Sequence, residues 1–316
     1  MSKTDLYLPD VIPLSLTRSY LPGDTVSRNF GLGSNDPFDI FIAGDSNPYT
    51  YMNLVLADGS TIHYPRISSG TTYVGAVYQH TSTPTPFYGS TIKWNAGWDL
   101  LLRDGTTCHF PPSDSSNNPN AAALASVQDR FGNTVTFTRG SNSNLTKVSS
   151  PHGRWISFTR DSSNRITQAQ DNIGRTVTYT YDSSGRLATV TDPNGGVTSY
   201  GYDASNRMLT IQDARGIVYL TNQYDGSGRI TKQTQADNST YQFSYTSSGG
   251  VITEADVTDP RGIIRRVTFN SAGYTLTDTH ALGLPEQQTT TYTLLGGKQP
   301  ANYGNRRPQS PDRFLI

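Results

Sequence analysis

The chain has 316 residues, with 25 basic and 25 acidic side chains and no formal net charge, so it lacks the electrostatic grip needed for nucleic acid or an anionic membrane. Only 34% of the residues are apolar and Tyr (19) far outnumbers Met (3), which predicts a thin core with amphipathic rings at its margins. A single cysteine, Cys108, excludes a disulfide framework and a cysteine-built metal site.

Residues 1–10 (MSKTDLYLPD) hold no apolar stretch of the signal-peptide kind, and no apolar run is long enough to span a membrane. The expectation is a soluble chain that, if exported, leaves by a route without a standard signal peptide. Residues 54–65 and 100–111 share one pattern: an apolar run, Asp-Gly, Ser/Thr-Thr, one residue, His, an aromatic and Pro. Asp-Gly between β-prone runs predicts a hairpin in each. Residues 111–120 (PPSDSSNNPN) read as an exposed linker. No helix is evident beyond a single turn over residues 120–125.

From about residue 126 a period governs the chain. Gly132, Gly153, Gly174, Gly195 and Gly216 recur every 21 residues. Asp171, Asp192 and Asp213 keep that interval, as do Tyr181-Asp182 with Tyr202-Asp203, and Arg165 with Arg186 and Arg207. Such a period marks one supersecondary unit copied along the chain. In the cleanest copy Val177, Tyr179 and Tyr181 alternate with Thr178 and Thr180, the period of a strand with one apolar face. Turns follow at Asp182–Gly185 and at Asp192–Gly195, where Asp bonds nearby backbone and Gly tolerates positive φ. Each repeat is therefore a pair of strands that must lean on its neighbours.

Two irregularities have predictable consequences. Asn206 stands where Gly185 stood one repeat earlier, and Asn also visits the left-handed region. Tyr224-Asp225 and Gly228-Arg229 arrive one residue late, an insertion that suits a turn or a bulge. The pattern blurs over 236–250 and returns at Asp259-Pro260-Arg261-Gly262.

With YTYDSSGRLATVTDPNG at 179–195 in hand, residues 126–293 resemble the RHS/YD-repeat family. LPDVIPLSLTRSY at 8–20, followed by Phe30-Gly31-Leu32-Gly33, is similar to the domain that precedes the repeats in bacterial members. The resemblance implies an all-β chain: an N-terminal β domain over 1–125, a β-ribbon repeat array over 126–293 forming part of a spiral shell, and a non-repeat tail over 294–316. It also implies a scaffold that encloses or presents a C-terminal effector toxin of a polymorphic-toxin system. The partners would be downstream repeats and that cargo, and the place of action the cell surface or the exterior. A truncated remnant would instead stay in the cytoplasm.

The chain departs from the family pattern near its end. His280-Ala281-Leu282-Gly283-Leu284-Pro285 lacks the Asp-Pro of the family's Asp-Pro-x-Gly-Leu core motif. The tail turns basic, with Lys298, Arg306, Arg307 and Arg313 against Asp312, as a foreign or frameshifted segment would.

No catalytic constellation, metal set or cofactor motif stands out. His63, His80, His109, His152 and His280 lack ligand spacing, and Cys108 and His109 point to opposite faces of one strand. Glu254 and Asp256 are the modest candidates for an acid pair. Tyr181, Asp182, Gly185, Arg186, Asp192, Gly195, Tyr202, Asp203, Arg207, Tyr224, Asp225, Gly228 and Arg229 define the repeat. Their identical phases predict ladders, with Asp bonding turn amides and Arg lying across the next Tyr. The alternative is a glycan or cell-surface binding module that uses Tyr179, Tyr200 and Tyr202. Open strand edges would favour self-association.

Overall fold

The computed structural model describes residues 1–45, 48–83, 85–112, 121–140 and 143–293. The described residues are all-β, in 29 strands with no helix. Residues 113–120 of the expected linker at 111–120, and the tail over 294–316, lie outside the described residues. They fall into two units, Ser2–Gly196 and the residues from Val197 onward.

The first unit opens with a three-stranded sheet. Ser2–Leu8 and Leu14–Tyr20 pair antiparallel, and Ser34–Asn35 joins the second of them. Leu6, Leu8, Leu14 and Leu16 are buried on its inner face. A second sheet holds Phe41–Gly44, Tyr51–Val55 and Thr61–Pro65. Its fourth strand is Ala121–Ala123, which pairs with Phe41–Gly44. This corrects the helical turn read at 120–125: the small residues supply an edge partner, with Ala122 buried opposite Ile42. Both Asp-Gly hairpins are present, as Tyr51–Val55 with Thr61–Pro65 and Trp98–Leu101 with Thr107–Phe110.

The long sheet of this unit begins at Val77–Gln79 and runs antiparallel through each hairpin to Leu187–Thr191. In Thr176–Tyr181, Val177 and Tyr179 are buried while Thr178 and Thr180 face outward. The partner strand breaks that rule, because Leu187 and Val190, three apart, are both buried. Tyr181 pairs with Leu187 but Thr180 with Thr189, so Ala188 is an extra residue. This one-residue bulge resets the pleat and lets both apolar side chains face the core. The same step recurs beside Arg139, Arg160, Tyr202 and Tyr224.

The second unit continues the unit plan from Val197–Tyr202 to Gln288–Thr291. The inserted residue lies in a bulge: Ile211 pairs with Leu220 and Gln212 with Val218, leaving Tyr219 over. Asn206 takes the left-handed conformation, with φ 61°. Over 236–250 the ribbon is not interrupted. Its hairpin is only longer, Thr240–Ser248 against Val251–Thr258.

Candidate functional site

The repeat turns are where the shared residues meet. At each, the first Asp gathers the backbone that follows it. Asp182 Oδ1 accepts the amides of Ser184 (2.9 Å) and Arg186 (3.0 Å), and Oδ2 accepts Arg186 Nε (2.7 Å). Asp203 and Asp225 hold Arg207 and Arg229 in the same way. Gly185 and Gly228, both at φ 80°, close these turns. At the other end of the strands Asp192 accepts the amides of Asn194 and Gly196, with Gly195 at φ 85°.

Three of the repeat arginines also reach the next turn. Arg165 lies over the Tyr181 ring at 4.3 Å, Arg207 over Tyr224 at 5.0 Å and Arg229 over Tyr245 at 4.9 Å. The tyrosine hydroxyl donates back to the carbonyl just after that arginine: Tyr181 to Ile166, Tyr224 to Met208 and Tyr245 to Ile230, at 2.5, 2.7 and 2.9 Å. Asp, Arg and Tyr thus interlock neighbouring turns through a charged bond, a cation–π contact and a backbone bond.

The sequence reading did not single out Tyr245. Its only signal is its place 21 residues after Tyr224, since no Asp follows it. Arg139 and Arg160 were missed too; they occupy the tyrosine phase and donate to the carbonyls of Leu124 and Leu145.

Of the remaining candidates, Tyr179 is 3% and Tyr200 9% exposed, while Tyr202 is half-buried. Tyr179 donates its hydroxyl to Asp5 at 2.9 Å, and burial followed by the charge of Asp5 raises its pKa well above the ordinary value. Glu254 and Asp256 both bind the guanidinium of Arg266, at 3.2 and 2.7 Å. His109 Nδ1 sits 2.6 Å from Asp99 Oδ1. Burial pushes the neighbouring Cys108 thiol up to about 12, which keeps it protonated at neutral pH. Among the described residues no three His, Cys, Asp or Glu side chains gather into a metal site.

A second cluster seats the N-terminal sheet on the repeats. Asp10 accepts from Ser150 Oγ and pairs with His152 Nδ1, and Arg175 donates to the Tyr7 carbonyl. Ile166 N donates to Asn29 O at 2.8 Å, and Leu32 N to Gly185 O at 3.1 Å. Phe30 packs 4.8 Å from the Tyr179 ring, and Arg18 lies between Asp5 and both rings.

These carboxylates set a pH profile. Burial raises the turn aspartates Asp161, Asp182, Asp203 and Asp225, but the bonds from their arginines and from the turn amides outweigh it and hold them low. Their stabilisation is complete above the unfolded value near 3.9 and is lost as pH falls through the lower folded value. Asp36 has the opposite sign. Burial, then the charge of Asp39, pushes it up to about 6, so its contribution to stability is full below the unfolded value and lost as pH rises through 6. Urea titrations from pH 2 to 8 are expected to show a maximum near pH 4. Stability falls below it, and drops by about 3 kcal/mol between roughly pH 4 and 6. Asp36→Asn should remove that second drop alone; a drop that survives the substitution would refute the assignment.

The RHS Repeat family profile matches residues 160–197 and 181–218, and a domain of unknown function, DUF6531, matches residues 1–64. No curated protein matches. Among solved structures, a TcdB2-TccC3-Cdc42 crystal structure matches at 14% identity over 77% of this chain and 15% of that one, with a TM-score of 0.43. TcdB2-TccC3 without its hypervariable C-terminal region matches at 12% over 84% and 16%, with a TM-score of 0.44. A Photorhabdus luminescens Tc holotoxin pore matches at 13% over 73% and 14%, with a TM-score of 0.36. This chain therefore spans about a seventh of those solved chains. The RHS Repeat matches cover the turns at Asp161, Asp182 and Asp203, with DUF6531 ahead of them, so residues 160–218 are RHS repeats that follow a DUF6531 domain.

Proposed function

We propose that this chain is a non-catalytic scaffold, a segment of an RHS shell that encloses or presents a C-terminal effector of a bacterial polymorphic-toxin system. The observation that carries the reading is the engagement of the repeat residues with one another. Asp182, Asp203 and Asp225 each hold the Arg of their own turn, and Arg165, Arg207 and Arg229 lie on the next ring. Side chains used in this way make a wall.

In this reading residues 1–125 are the part ahead of the repeats and 126–293 the wall itself. The partners are further repeats and a cargo encoded downstream, and the assembly acts outside the cell. The test is to sequence the DNA beyond the codon for Ile316 and translate all three frames. A frame that resumes Tyr-Asp-x-x-Gly-Arg at the 21-residue phase and then reaches a variable domain supports the shell. No such frame would leave the shell without its cargo and contradict the proposal.

A further inference from the structure

From Ile67 to Ile92 the sequence carries no Asp, Glu, Lys or Arg, the longest such stretch in a chain that is 16% charged. Its one histidine, His80, is buried, with Nδ1 2.7 Å from the His63 carbonyl. The stretch opens with a loop whose ends meet. Ile67 N donates to Val77 O at 2.8 Å, and Val77 N to Ser68 Oγ at 3.0 Å. Arg66 organises the loop from its base: Nε donates to Ser68 O (3.1 Å), Nη2 to Ser69 O (2.9 Å) and Nη1 to Thr72 O (2.9 Å). A short loop closed at its ends and bonded from within holds one shape.

That shape turns large apolar groups outward. Ile67, Tyr73 and Val74 are 59%, 40% and 64% exposed. Two half-buried rings brace Tyr73, Tyr49 at 5.8 Å and Trp94 at 4.5 Å, and Trp94 packs in turn 5.0 Å from the buried Trp98. Tyr49 is held at φ 58° by bonds to its carbonyl from Arg66 Nη1 (3.3 Å) and the Tyr78 hydroxyl (3.2 Å). A bulky side chain takes that conformation only where its surroundings enforce it. None of the hydrogen bonds that shape the loop requires an apolar side chain at 67, 73 or 74. Their exposure together is the mark of an interaction surface.

We propose that the loop over 67–76 docks on a neutral lipid surface, with Ile67, Tyr73 and Val74 entering the boundary between headgroups and acyl chains. The charge pattern selects lipid. No ionised group within the stretch has to leave water on entry, the step that makes such insertion costly. Arg66 and Lys93, which bracket the stretch in sequence, are cationic, the sign that headgroup phosphates accept. Tyrosine and tryptophan rings, apolar with one polar edge, settle at that depth. A protein partner would instead be placed in register by complementary charges, and the stretch offers none. The contact is shallow and independent of the shell reading.

The test is flotation of the whole chain with phosphatidylcholine vesicles, beside quenching of its tryptophan fluorescence by brominated acyl chains. The expected result is quenching, with half the protein bound near about 1 mM lipid, weaker than a single myristoyl chain at roughly 10⁴ M⁻¹. Binding should change less than about twofold between about 0.05 and 0.5 M salt, because the inserted groups are uncharged. Ile67→Ser and Val74→Ser should each weaken it about tenfold, the worth of one buried aliphatic side chain, and Val74→Asp should abolish it. Both positions are exposed, so these variants should keep the wild-type unfolding midpoint, which separates lost binding from lost folding. Phe131→Ser, at an exposed apolar residue of a repeat turn, should float as the parent does. No flotation at about 10 mM lipid, flotation that needs an anionic lipid, or undiminished flotation of Val74→Asp would each overturn the proposal. A dimer of the lipid-free chain that Val74→Asp dissolves in sedimentation would also overturn it, since a second copy would then be the occupant.

Discussion

Asp5→Ala should lower the unfolding free energy by roughly 3–5 kcal/mol, the cost of leaving a buried charge without its partner. Asp5 and Arg18 are 3% and 6% exposed at the side chain and meet through two bonds, Nε to Oδ2 at 2.5 Å and Nη2 to Oδ1 at 2.9 Å. Tyr179 adds a third bond to the same carboxylate, so the group joins the N-terminal sheet to the wall of repeats. Removing Asp5 alone takes two bonds from a buried guanidinium and one from a hydroxyl. The combined variant Asp5→Leu, Arg18→Met and Tyr179→Phe should recover most of the loss, because a buried ion pair and an apolar replacement of similar volume are often close in stability. Urea unfolding of the two variants measures both. A loss below about 1 kcal/mol in Asp5→Ala would place the pair in water instead.

Gly31→Ala should cost more than Gly174→Ala, although both glycines have nearly the same φ, 85° and 87°. An alanine at either site pays about 1–2 kcal/mol for the left-handed conformation. At Gly174 nothing lies within 4 Å of the added Cβ. At Gly31 the Cβ would overlap the Gly185 carbonyl oxygen and sit 3.1 Å from the Tyr181 ring. The segment must then lift from the turn, and Leu32 N loses its bond to Gly185 O, a further 0.5–1.5 kcal/mol or so for a hydrogen bond at a half-buried residue. Hydrogen exchange should place the effect: amides over 27–35 exchange faster in Gly31→Ala and stay protected in Gly174→Ala. Equal losses in the two variants would mean that the N-terminal segment does not rest on the repeats.

The turns were legible because their chemistry is local. An Asp that caps the next amides and a Gly or Asn at positive φ are written within five residues, as at Asp182–Arg186 and at Asn206. The ladder was legible because its partners share a phase. The bulge was not. Leu187 and Val190 do not alternate, and only the pairing of Tyr181 with Leu187 and of Thr180 with Thr189 explains why both are buried. The Arg18 cluster was also hidden, since Asp5 lies 174 residues from Tyr179 and carries no repeat signal. The helical turn read at 120–125 failed for a related reason: a short alanine run takes the structure of the edge that needs it, here Phe41–Gly44.

The central claim is that the repeat tyrosines hold the wall together. It is tested most directly by replacing Tyr179, Tyr200 and Tyr202 with leucine and measuring urea unfolding beside glycan-array binding. Tyr179 and Tyr200 are buried and Tyr179 is bonded to Asp5, so the account predicts a stability loss of at least about 2 kcal/mol, from the lost hydroxyl bond to Asp5 and the lost ring packing. Unchanged stability together with loss of a glycan signal seen in the parent chain would contradict it, and would make those rings a binding surface.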